Sequence, residues 1–445
     1  MNARFLPAAV ASLLATASLH AAIIGTNIPA QGITAETIAA LPNAQQRVWK
    51  QYLERSNRQM RADQDFLKKE MKLAGVKEAV VPPSDNSTRS LPLTREASWY
   101  GTSNAQFLAD NIVSFQTPAG GWSKNLNFAS GLRARGEHFA PNNLSRFGNS
   151  TDFDQPADVN WDYVGTFDND ATTTQMRFLA RSAMLGSSEQ AKRWRESFLR
   201  GMEYVVAAQF PNGGWPHVWP LQGGYHDAVT YNDGAMLHVM ELLRDIGEGR
   251  NEFDFVPAKT RRLANTCLER GIQCTLAAQI RAQGQRTVWG QQHNALTLTP
   301  AAGRNYEMPA QVSPESASVM EFLMTLPKPN AAIIAAVDAA AAWFKKTAIY
   351  GMAVRMSPAE GRVLESAPGA GPLWPRYAEI GTDRPLFGDR DKTIHDKMSE
   401  ISLERRRGYS WYNSAPQAAL ERYATWRASL ATPPPKPEVQ LQKPL

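Results

Sequence analysis

A repeated pattern of apolar run, glutamine, turn and tryptophan constrains the fold of this chain more than any other feature. The pattern is NIVSFQTPAGGW in Asn111–Trp122, YVVAAQFPNGGW in Tyr204–Trp215 and, more loosely, CTLAAQIRAQGQRTVW in Cys274–Trp289. The apolar runs have helical character, and Gly-Gly in two copies allows the positive φ that a tight turn after a helix needs. Repeated helix–turn units with almost no alternating strand pattern predict a mainly α fold, an α/α toroid that is a partial or complete ring of helical hairpins. An irregular helical bundle is the alternative.

The two ends of the chain differ in composition from this middle part. Residues 1–22 combine a basic start with an apolar run rich in small residues, which predicts a secretory signal peptide and a secreted or periplasmic protein. Residues 23–96 are predicted to be an N-terminal helical segment, periodic over Thr34–Leu73, followed by a proline-containing linker. Residues 97–430 form the predicted main domain, and the proline-rich residues 431–445 are predicted to be disordered.

Composition narrows the classes of partner. After the signal segment no stretch reaches the roughly 18 consecutive apolar residues of a membrane span, so no membrane association is predicted. The net charge of +6 favours polyanionic partners, but Lys and Arg are spread along the chain, which argues against nucleic acid. The two cysteines, Cys267 and Cys274, are predicted to be buried free thiols, with a disulfide as the alternative if Gly271 breaks their helix. A monomer is the expected state.

Three polar clusters stand directly before predicted helices. These clusters are Asp168-Asn169-Asp170, Asn232-Asp233 and Ser313-Pro314-Glu315, which precede helical runs over Ala171–Met184, Gly234–Ile246 and Ser316–Leu326. Helix capping is the simpler explanation, since Asp, Asn and Ser are preferred N-caps, but one residue suffices for a cap. In a toroid of hairpins, such helix ends tend to lie on the same rim. The side chains of the clusters offer only oxygen ligands, which suit Ca²⁺. Asp168, Asp170 and Asp233 are therefore candidate calcium ligands, and the adjacent Asn169 and Asn232 are candidate substrate-binding residues.

Three arginines lie in irregular, turn-rich stretches beside aromatic residues. They are Arg304 in AGRNYE, Arg376 in LWPRY and Arg390 in FGDRD. A guanidinium group binds a carboxylate in a bidentate manner, so arginines in such loops fit the recognition of an acidic substrate. A surface salt bridge is the alternative for each arginine taken singly.

Six motifs resemble the family-10 pectate lyases. They are GGWSKN (Gly120–Asn125), TFDNDATTTQMRFLAR (Thr166–Arg181), QFPNGGWPHVWP (Gln209–Pro220), TVWGQQHNALTLTPAAGRNYE (Thr287–Glu307), LWPRYAEI (Leu373–Ile380) and FGDRDKTIHDKMSEISLERRRGYSWY (Phe387–Tyr412). Six motifs in the same order make the resemblance specific, and it covers roughly residues 97–430. The resemblance implies a mainly α fold with a toroid and a cleft, which agrees with the prediction from the repeat.

The resemblance also implies an activity, calcium-assisted β-elimination of polygalacturonate with an arginine as the base. The arginine that matches the proposed base is Arg304, while Arg376 and Arg390 match arginines that hold substrate carboxylates. The calcium site corresponds to Asp168-Asn169-Asp170 and Asp233, with the choice between Asp168 and Asp170 left open. The residue after Asp233 is Gly234, so the calcium site is altered if the family's ligand falls there. An arginine base predicts activity that rises with pH, because the reference pKa of arginine is about 12.5–13.8.

Three other functions remain as alternatives at this level. An inverting glycoside hydrolase would use two carboxylates about 6.5–9.5 Å apart, and Asp168 and Asp233 could serve. A non-catalytic polysaccharide-binding protein would stack sugars on the tryptophans of the turns, Trp122, Trp215 and Trp219. A terpene cyclase on an α/α toroid shares the Gln-Gly-Gly-Trp pattern but needs an acidic initiating motif and an apolar cavity, and the sequence displays neither clearly.

Overall fold

The computed structural model describes residues 22–84, 91–141, 151–158, 161 and 163–431. The predicted signal peptide, except for residue 22, and the proline-rich tail, except for residue 431, therefore lie outside the described residues, as does part of the predicted linker. The described part is mainly α-helical. Its α-helices are α1 (Ala35–Ala39), α2 (Asn43–Ala74), α3 (Ser103–Ser114), α4 (Thr173–Ser182), α5 (Ser188–Ala208), α6 (Ala235–Glu248), α7 (Ala258–Ala278), α8 (Ser313–Met324), α9 (Ala331–Thr347), α10 (Leu403–Gly408) and α11 (Ala415–Ala431).

The helices form the predicted α/α toroid, built from two rows. Helices α3, α5, α7 and α9 make one row, and α4, α6 and α8 pack beside them, each against the helix that follows or precedes it in the chain. Helix α11 packs on α8 and α9. The second row is the more deeply buried, because all the residues of α4 except Arg177 and Arg181 are buried. The polar turns that precede α4, α6 and α8 therefore face the same side of the ring.

The glutamine of each repeat ties one helix of the first row to the next. Gln116 Nε2 donates to the carbonyl of Ser197 in α5 (2.9 Å), Gln209 Nε2 to Cys267 in α7 (2.8 Å) and Gln279 Nε2 to Ala336 in α9 (2.9 Å). Each amide also bonds a carbonyl of its own turn, at Gly120, Gly213 and Thr287. Because each glutamine uses its two amide hydrogens in the same way, it fixes the position of its own turn against the next helix of the first row.

The tryptophan of each repeat closes the turn back onto the helix before it. The indole Nε1 donates to a helical carbonyl in all three copies: Trp122 to Ile112 (2.7 Å), Trp215 to Val205 (2.9 Å) and Trp289 to Thr275 (2.7 Å). The three side chains are fully buried. They are therefore core residues, and the alternative in which Trp122 and Trp215 stack sugars is wrong.

The N-terminal helical segment packs on this ring. Pro42 separates α1 from α2. The hydroxyl of Tyr52 in α2 donates to the carbonyl of Ala208 (2.8 Å), and the rings of Trp49 and Tyr52 pack at tilted angles on Phe210 in the turn after α5. The extension is thus part of the hydrophobic core and is not a spacer.

Short antiparallel strands connect and accompany the helices. The strands are Gly25–Thr26, Gly165–Thr166, Val218–Trp219, Val229–Thr230, Arg281–Ala282, Gln285–Arg286, Gln292–His293, Pro300–Ala301, Gln311–Val312, Met352–Ser357, Gly361–Ser366, Trp374–Pro375, Tyr377–Ala378, Pro385–Gly388, Thr393–His395 and Tyr412–Asn413. The largest sheet has five strands, which begin in spatial order with Gly25–Thr26 and end with Gln311–Val312. Cys267 and Cys274 are buried free thiols, as predicted.

Candidate active site

Two acidic turns with the same backbone lie side by side at the start of α4 and α6. We call Asp168–Asp170 the first acidic turn and Asn232–Gly234 the second acidic turn; they contact each other directly. Both contain two successive residues of positive φ, at 52° and 63° in the first and 49° and 72° in the second. Each follows a short strand, Gly165–Thr166 or Val229–Thr230. The two turns are therefore equivalent positions of the repeat, and Asp168 corresponds to Asn232 as Asp170 corresponds to Gly234.

The acidic side chains do not cap the helices that follow them. Helix α4 begins after Thr172 and α6 after Gly234, and neither helix has a side-chain hydrogen bond at its N-cap. The capping explanation is wrong for both turns. The carboxylates are oriented toward other side chains instead.

Asp168 is the buried carboxylate of the first acidic turn. Its Oδ2 pairs with Lys124 Nζ, and its Oδ1 lies 3.5 Å from His217 Nε2. Burial raises the pKa of Asp168, but the charges of Lys124 and His217 outweigh burial and hold this pKa well below its usual range. Asp168 is thus ionised at neutral pH.

Asp170 has a different partner from Asp168. Its Oδ1 lies 2.8 Å from His238 Nδ1 on α6. The ring of His238 occupies the space beside Gly234, where an added Cβ would come within 2.6 Å of it. Glycine at position 234 therefore makes room for the contact between His238 and Asp170, and a ligand side chain at this position would displace His238.

Asp233 is the carboxylate of the second acidic turn, and it is exposed. Asn232 Nδ2 donates to its Oδ2 (2.7 Å). Partial desolvation and the charge of Asp168 raise the pKa of Asp233, against a lowering by His217, Arg304 and Arg376. The pKa of Asp233 thus depends on the charges of Asp168, Arg304 and Arg376, so four predicted site residues interact electrostatically.

The donor set of the two turns fits a hard divalent cation that other ligands complete. Within the described ranges no three His, Cys, Asp or Glu side chains are grouped closely enough to hold a metal by themselves. The two neighbouring carboxylates nevertheless oppose each other's ionisation, and a cation would relieve this repulsion. Their oxygens, with a substrate carboxylate and water, match the ligands that Ca²⁺ prefers.

Arg304 lies in a tight turn and is paired with a glutamate. Its Nη2 donates to Glu307 Oε1 (2.5 Å), and its backbone N–H donates to Glu307 Oε2 (2.8 Å). Burial lowers the pKa of Arg304, but the charge and hydrogen bond of Glu307 raise it well above its usual range. Conversely, burial raises the pKa of Glu307, whereas Arg304 lowers it to about 2. In the free protein Arg304 is a cation.

The other two predicted arginines differ in their surroundings. Arg376 is largely buried, pairs with Glu315 of the third polar cluster, and has its Cζ 5.0 Å from the ring of Tyr409. The Cζ of Arg304 lies 5.9 Å from the same ring, so both arginines lie close to Tyr409. Arg390 is exposed and is held loosely by Glu404 at 3.3 Å. The structure thus brings Arg304 and Arg376 to the acidic turns and leaves Arg390 at the edge.

A series of polar contacts connects the second acidic turn to Glu307, the partner of Arg304. Asn232 Oδ1 accepts from Gln291 Nε2 (2.9 Å), whose Oε1 accepts from the hydroxyl of Tyr377. The hydroxyls of Tyr377 and Tyr409 lie 2.7 Å apart, and Tyr409 donates to Glu307 Oε1 (2.8 Å). Asn232 is therefore a buried part of this scaffold, whereas Asn169 bonds Asn125 Oδ1 through its Nδ2 (3.3 Å).

The polar residues that contact the predicted site residues were not predicted from the sequence, although their position in the repeat could have identified them. The residue two positions after the tryptophan of each turn enters the site: Lys124, His217 and Gln291. A fourth tryptophan, Trp374, also donates its Nε1 to a preceding helical carbonyl, and two positions later is Arg376. The register of the repeat therefore identifies these four residues as equivalent.

The comparisons with known proteins identify the family. The family model for pectic acid lyases matches residues 116–420, which is more than half of the chain. The protein belongs to the pectic acid lyase family. A family-10 polysaccharide lyase from Cellvibrio cellulosa has a similar structure, with a TM-score of 0.62 and 30% identity over 77% of this chain and 99% of that chain. A mutant of the family-10 lyase from the same organism, in complex with trigalacturonic acid, matches with a TM-score of 0.62 and 30% identity over 76% of this chain and 98% of that one. No curated protein matches the chain.

Membership in this family makes the chain a polysaccharide lyase and removes the support for the hydrolase, terpene cyclase and capture alternatives. No helix in the described part of the lyase has the length and apolar character to cross a membrane.

Proposed function

We propose that this lyase is a pectate lyase that cleaves α-1,4-linked polygalacturonate by calcium-assisted β-elimination. The observation that carries the proposal is that Arg304 and Arg376 both lie close to Tyr409 and both lower the pKa of Asp233 in the second acidic turn. Arginines beside a cation site suit a substrate with a carboxylate on every sugar ring. The complex of the similar Cellvibrio lyase with trigalacturonic acid supports the same substrate class.

The residues that would hold calcium are Asp168 and Asp233, with Asp170 as the third candidate. Asp233 is the better placed of these to gain from a cation, because its pKa is raised while that of Asp168 is lowered by Lys124 and His217. Bound calcium would withdraw charge from the substrate's C6 carboxylate and so acidify the proton on C5. Arg376 would hold a second carboxylate of the polymer, and Arg390 would contact it at the edge.

Arg304 is the proposed base for the C5 proton. It takes the proton, the electron pair of the C5–H bond forms a C4=C5 double bond, and the C4–O4 bond breaks. O4 of the leaving sugar then takes a proton from water, and the product has an unsaturated sugar at its new non-reducing end. Pairing with Glu307 favours the protonated guanidinium, so only a small fraction of Arg304 is neutral at pH 7. The proposal therefore includes an alkaline optimum, with turnover rising as pH rises.

The test is ultraviolet absorbance during incubation with polygalacturonate at alkaline pH, with calcium and then with a chelator. Elimination creates a conjugated double bond, so absorbance should rise with calcium and stop rising on chelation. Arg304→Ala should reduce turnover by at least about 100-fold while oligogalacturonate still binds. Arg355→Ala, at an exposed arginine of the Met352–Ser357 strand, is the matched control and should keep normal turnover. New reducing ends without absorbance would indicate hydrolysis and end the proposal.

The predicted secretion fits this substrate, because a cell-wall polymer must be cut outside the cytoplasm.

A further inference from the structure

The first residues after the predicted signal peptide form a strand beside the arginine side of the site. Gly25–Thr26 pairs antiparallel with Thr393 and Ile394. The pairing extends in both directions, since Ile24 N donates to Ile394 O (2.9 Å) and Asn27 N to Lys392 O (2.8 Å). These bonds fix the backbone of the N-terminal strand at the outer edge of the five-stranded sheet.

The side chain of Asn27 points from this strand into the turn that holds Arg304. Asn27 is 4% exposed. Its Nδ2 donates to the carbonyls of Asn305 (3.0 Å) and Glu307 (3.1 Å) and lies 3.4 Å from that of Arg304. One amide group with two hydrogens thus lies against three neighbouring carbonyls, and removing it would take the side-chain donor from the buried carbonyl of Asn305.

The backbone of this turn determines where the guanidinium of Arg304 lies. Glu307 N donates to Arg304 O (2.8 Å), and Gly303 N donates to Glu307 O (3.0 Å). The carboxylate of Glu307 then holds both the backbone N–H and the Nη2 of Arg304. Because the carboxylate and the carbonyl of Glu307 belong to one residue, a displacement of that carbonyl shifts the carboxylate and the guanidinium with it.

We propose that Asn27 is a positioning residue that fixes the Arg304–Glu307 turn in the orientation needed for proton abstraction. Asn27 precedes the residues matched by the family model, which begin at 116, so it is a support supplied by the N-terminal extension of this chain. The inference rests on the proposed function, because it takes Arg304 as the base. Asn27 lies behind the turn and does not contact the reacting atoms.

Loss of the amide donor should reduce turnover more than substrate binding. A misplacement of the order of 1 Å in a reacting group costs about 100-fold in rate, and Asn27 holds a turn that other bonds also hold. We therefore expect kcat to fall about 10- to 100-fold. KM should change less than about threefold, since the side-chain hydrogen bonds of Asn27 go to the Arg304–Glu307 turn.

The test compares three variants of the full-length secreted chain with the wild type. Asn27→Asp keeps the shape of the side chain but turns the donor into an acceptor, and Asn27→Ser keeps a short donor. Ile28→Ala is the matched control, because the neighbouring Ile28 is 68% exposed. Each variant is assayed well below its own melting temperature, with kcat, KM and the melting temperature measured together.

The proposal expects kcat to fall most in Asn27→Asp, less in Asn27→Ser and not at all in Ile28→Ala, with KM nearly constant. Normal kcat in both Asn27 variants would overturn it. It would also be overturned if kcat fell only in proportion to the folded fraction, since Asn27 would then act on stability alone. A wild type that produces no unsaturated product would overturn the proposed function, and the inference with it, so the two failures are distinguishable.

Discussion

The first and second acidic turns have one backbone and two opposite electrostatic states. In the first, Asp168 is buried and paired with Lys124 and His217, and its pKa is lowered. In the second, the equivalent residue is the neutral Asn232, and the carboxylate has moved one position to Asp233, which is exposed and has a raised pKa. The toroid thus builds the same turn twice and distributes the charge unequally.

This difference implies two roles: Asp168 helps to hold the structure of the site, whereas Asp233 is the carboxylate that a bound cation would affect. A carboxylate that protein cations already neutralise gains little from an added metal ion, whereas one that is repelled by a like charge gains more. Asp168 therefore has a negative charge that Lys124 and His217 already compensate. The negative charge of Asp233 is the one that a bound cation would compensate. The four predictions below test this division.

The largest expected effect follows removal of the charge of Asp168. Asp168→Asn leaves Lys124 in a partly buried position without this carboxylate, so we expect a loss of about 2 kcal/mol in the free energy of unfolding. Turnover should fall by more than about 100-fold. Urea unfolding and the elimination assay measure the two effects. The double variant Asp168→Asn, Lys124→Met should recover stability without recovering turnover, and unchanged stability in the single variant would contradict the structural part of the argument.

Asp233→Asn should separate the two effects. The substitution keeps the shape of the side chain and removes a like charge from beside Asp168, so the unfolding free energy should not fall. Turnover should still fall about 100-fold, because a ligand of the proposed cation is lost. Calorimetric titration with calcium in the presence of oligogalacturonate should give weaker binding. Comparable destabilisation by Asp168→Asn and Asp233→Asn would mean that the two turns do not differ as described.

The two acidic turns differ in side-chain size at one equivalent position, which is Asp170 in the first turn and Gly234 in the second. Gly234 has a φ of 72°, and an added Cβ would lie 2.6 Å from the ring of His238. Gly234→Ala should therefore cost about 1–2 kcal/mol in unfolding free energy, from both backbone strain and this contact. A double-mutant cycle with His238→Ala should return the part that is due to the contact. An additive cycle would show that backbone strain alone is responsible.

The sequence predicted the ring because its repeat is local. Each apolar run, glutamine, turn and tryptophan falls within 16 residues, so the helices before and after each turn could be identified. The fourth copy, around Trp374, was missed because the strands Met352–Ser357 and Gly361–Ser366 separate it from α9. An insertion of this kind breaks the spacing on which recognition of a repeat depends.

The site was only partly predictable, because charged pairs depend on contacts between distant segments. The arginines and aspartates remain predicted site residues, and the pairing of Arg304 with Glu307, which raises the pKa of Arg304, was not predicted. Likewise, the partner of Asp170 is His238, 68 positions along the chain, and only the packing of α6 against the first acidic turn brings them together. No local pattern encodes such a contact.

The smallest effect expected is a pH dependence that distinguishes the two carboxylates in calcium-free protein. The lowered pKa of Asp168 means that its contribution to stability is fully present above about pH 3.9 and is lost as pH falls through its lower folded value. The raised pKa of Asp233 has the opposite sign: its ionised form costs stability above its folded value, and the cost disappears below about pH 3.9. Asp233→Asn should therefore exceed the wild type in unfolding free energy at pH 8 by less than about 1 kcal/mol, since Asp233 is exposed, and lose this advantage near pH 4. Urea unfolding at several pH values in the presence of a chelator measures the difference, and an advantage that grows toward low pH would reverse the assignment of the two turns.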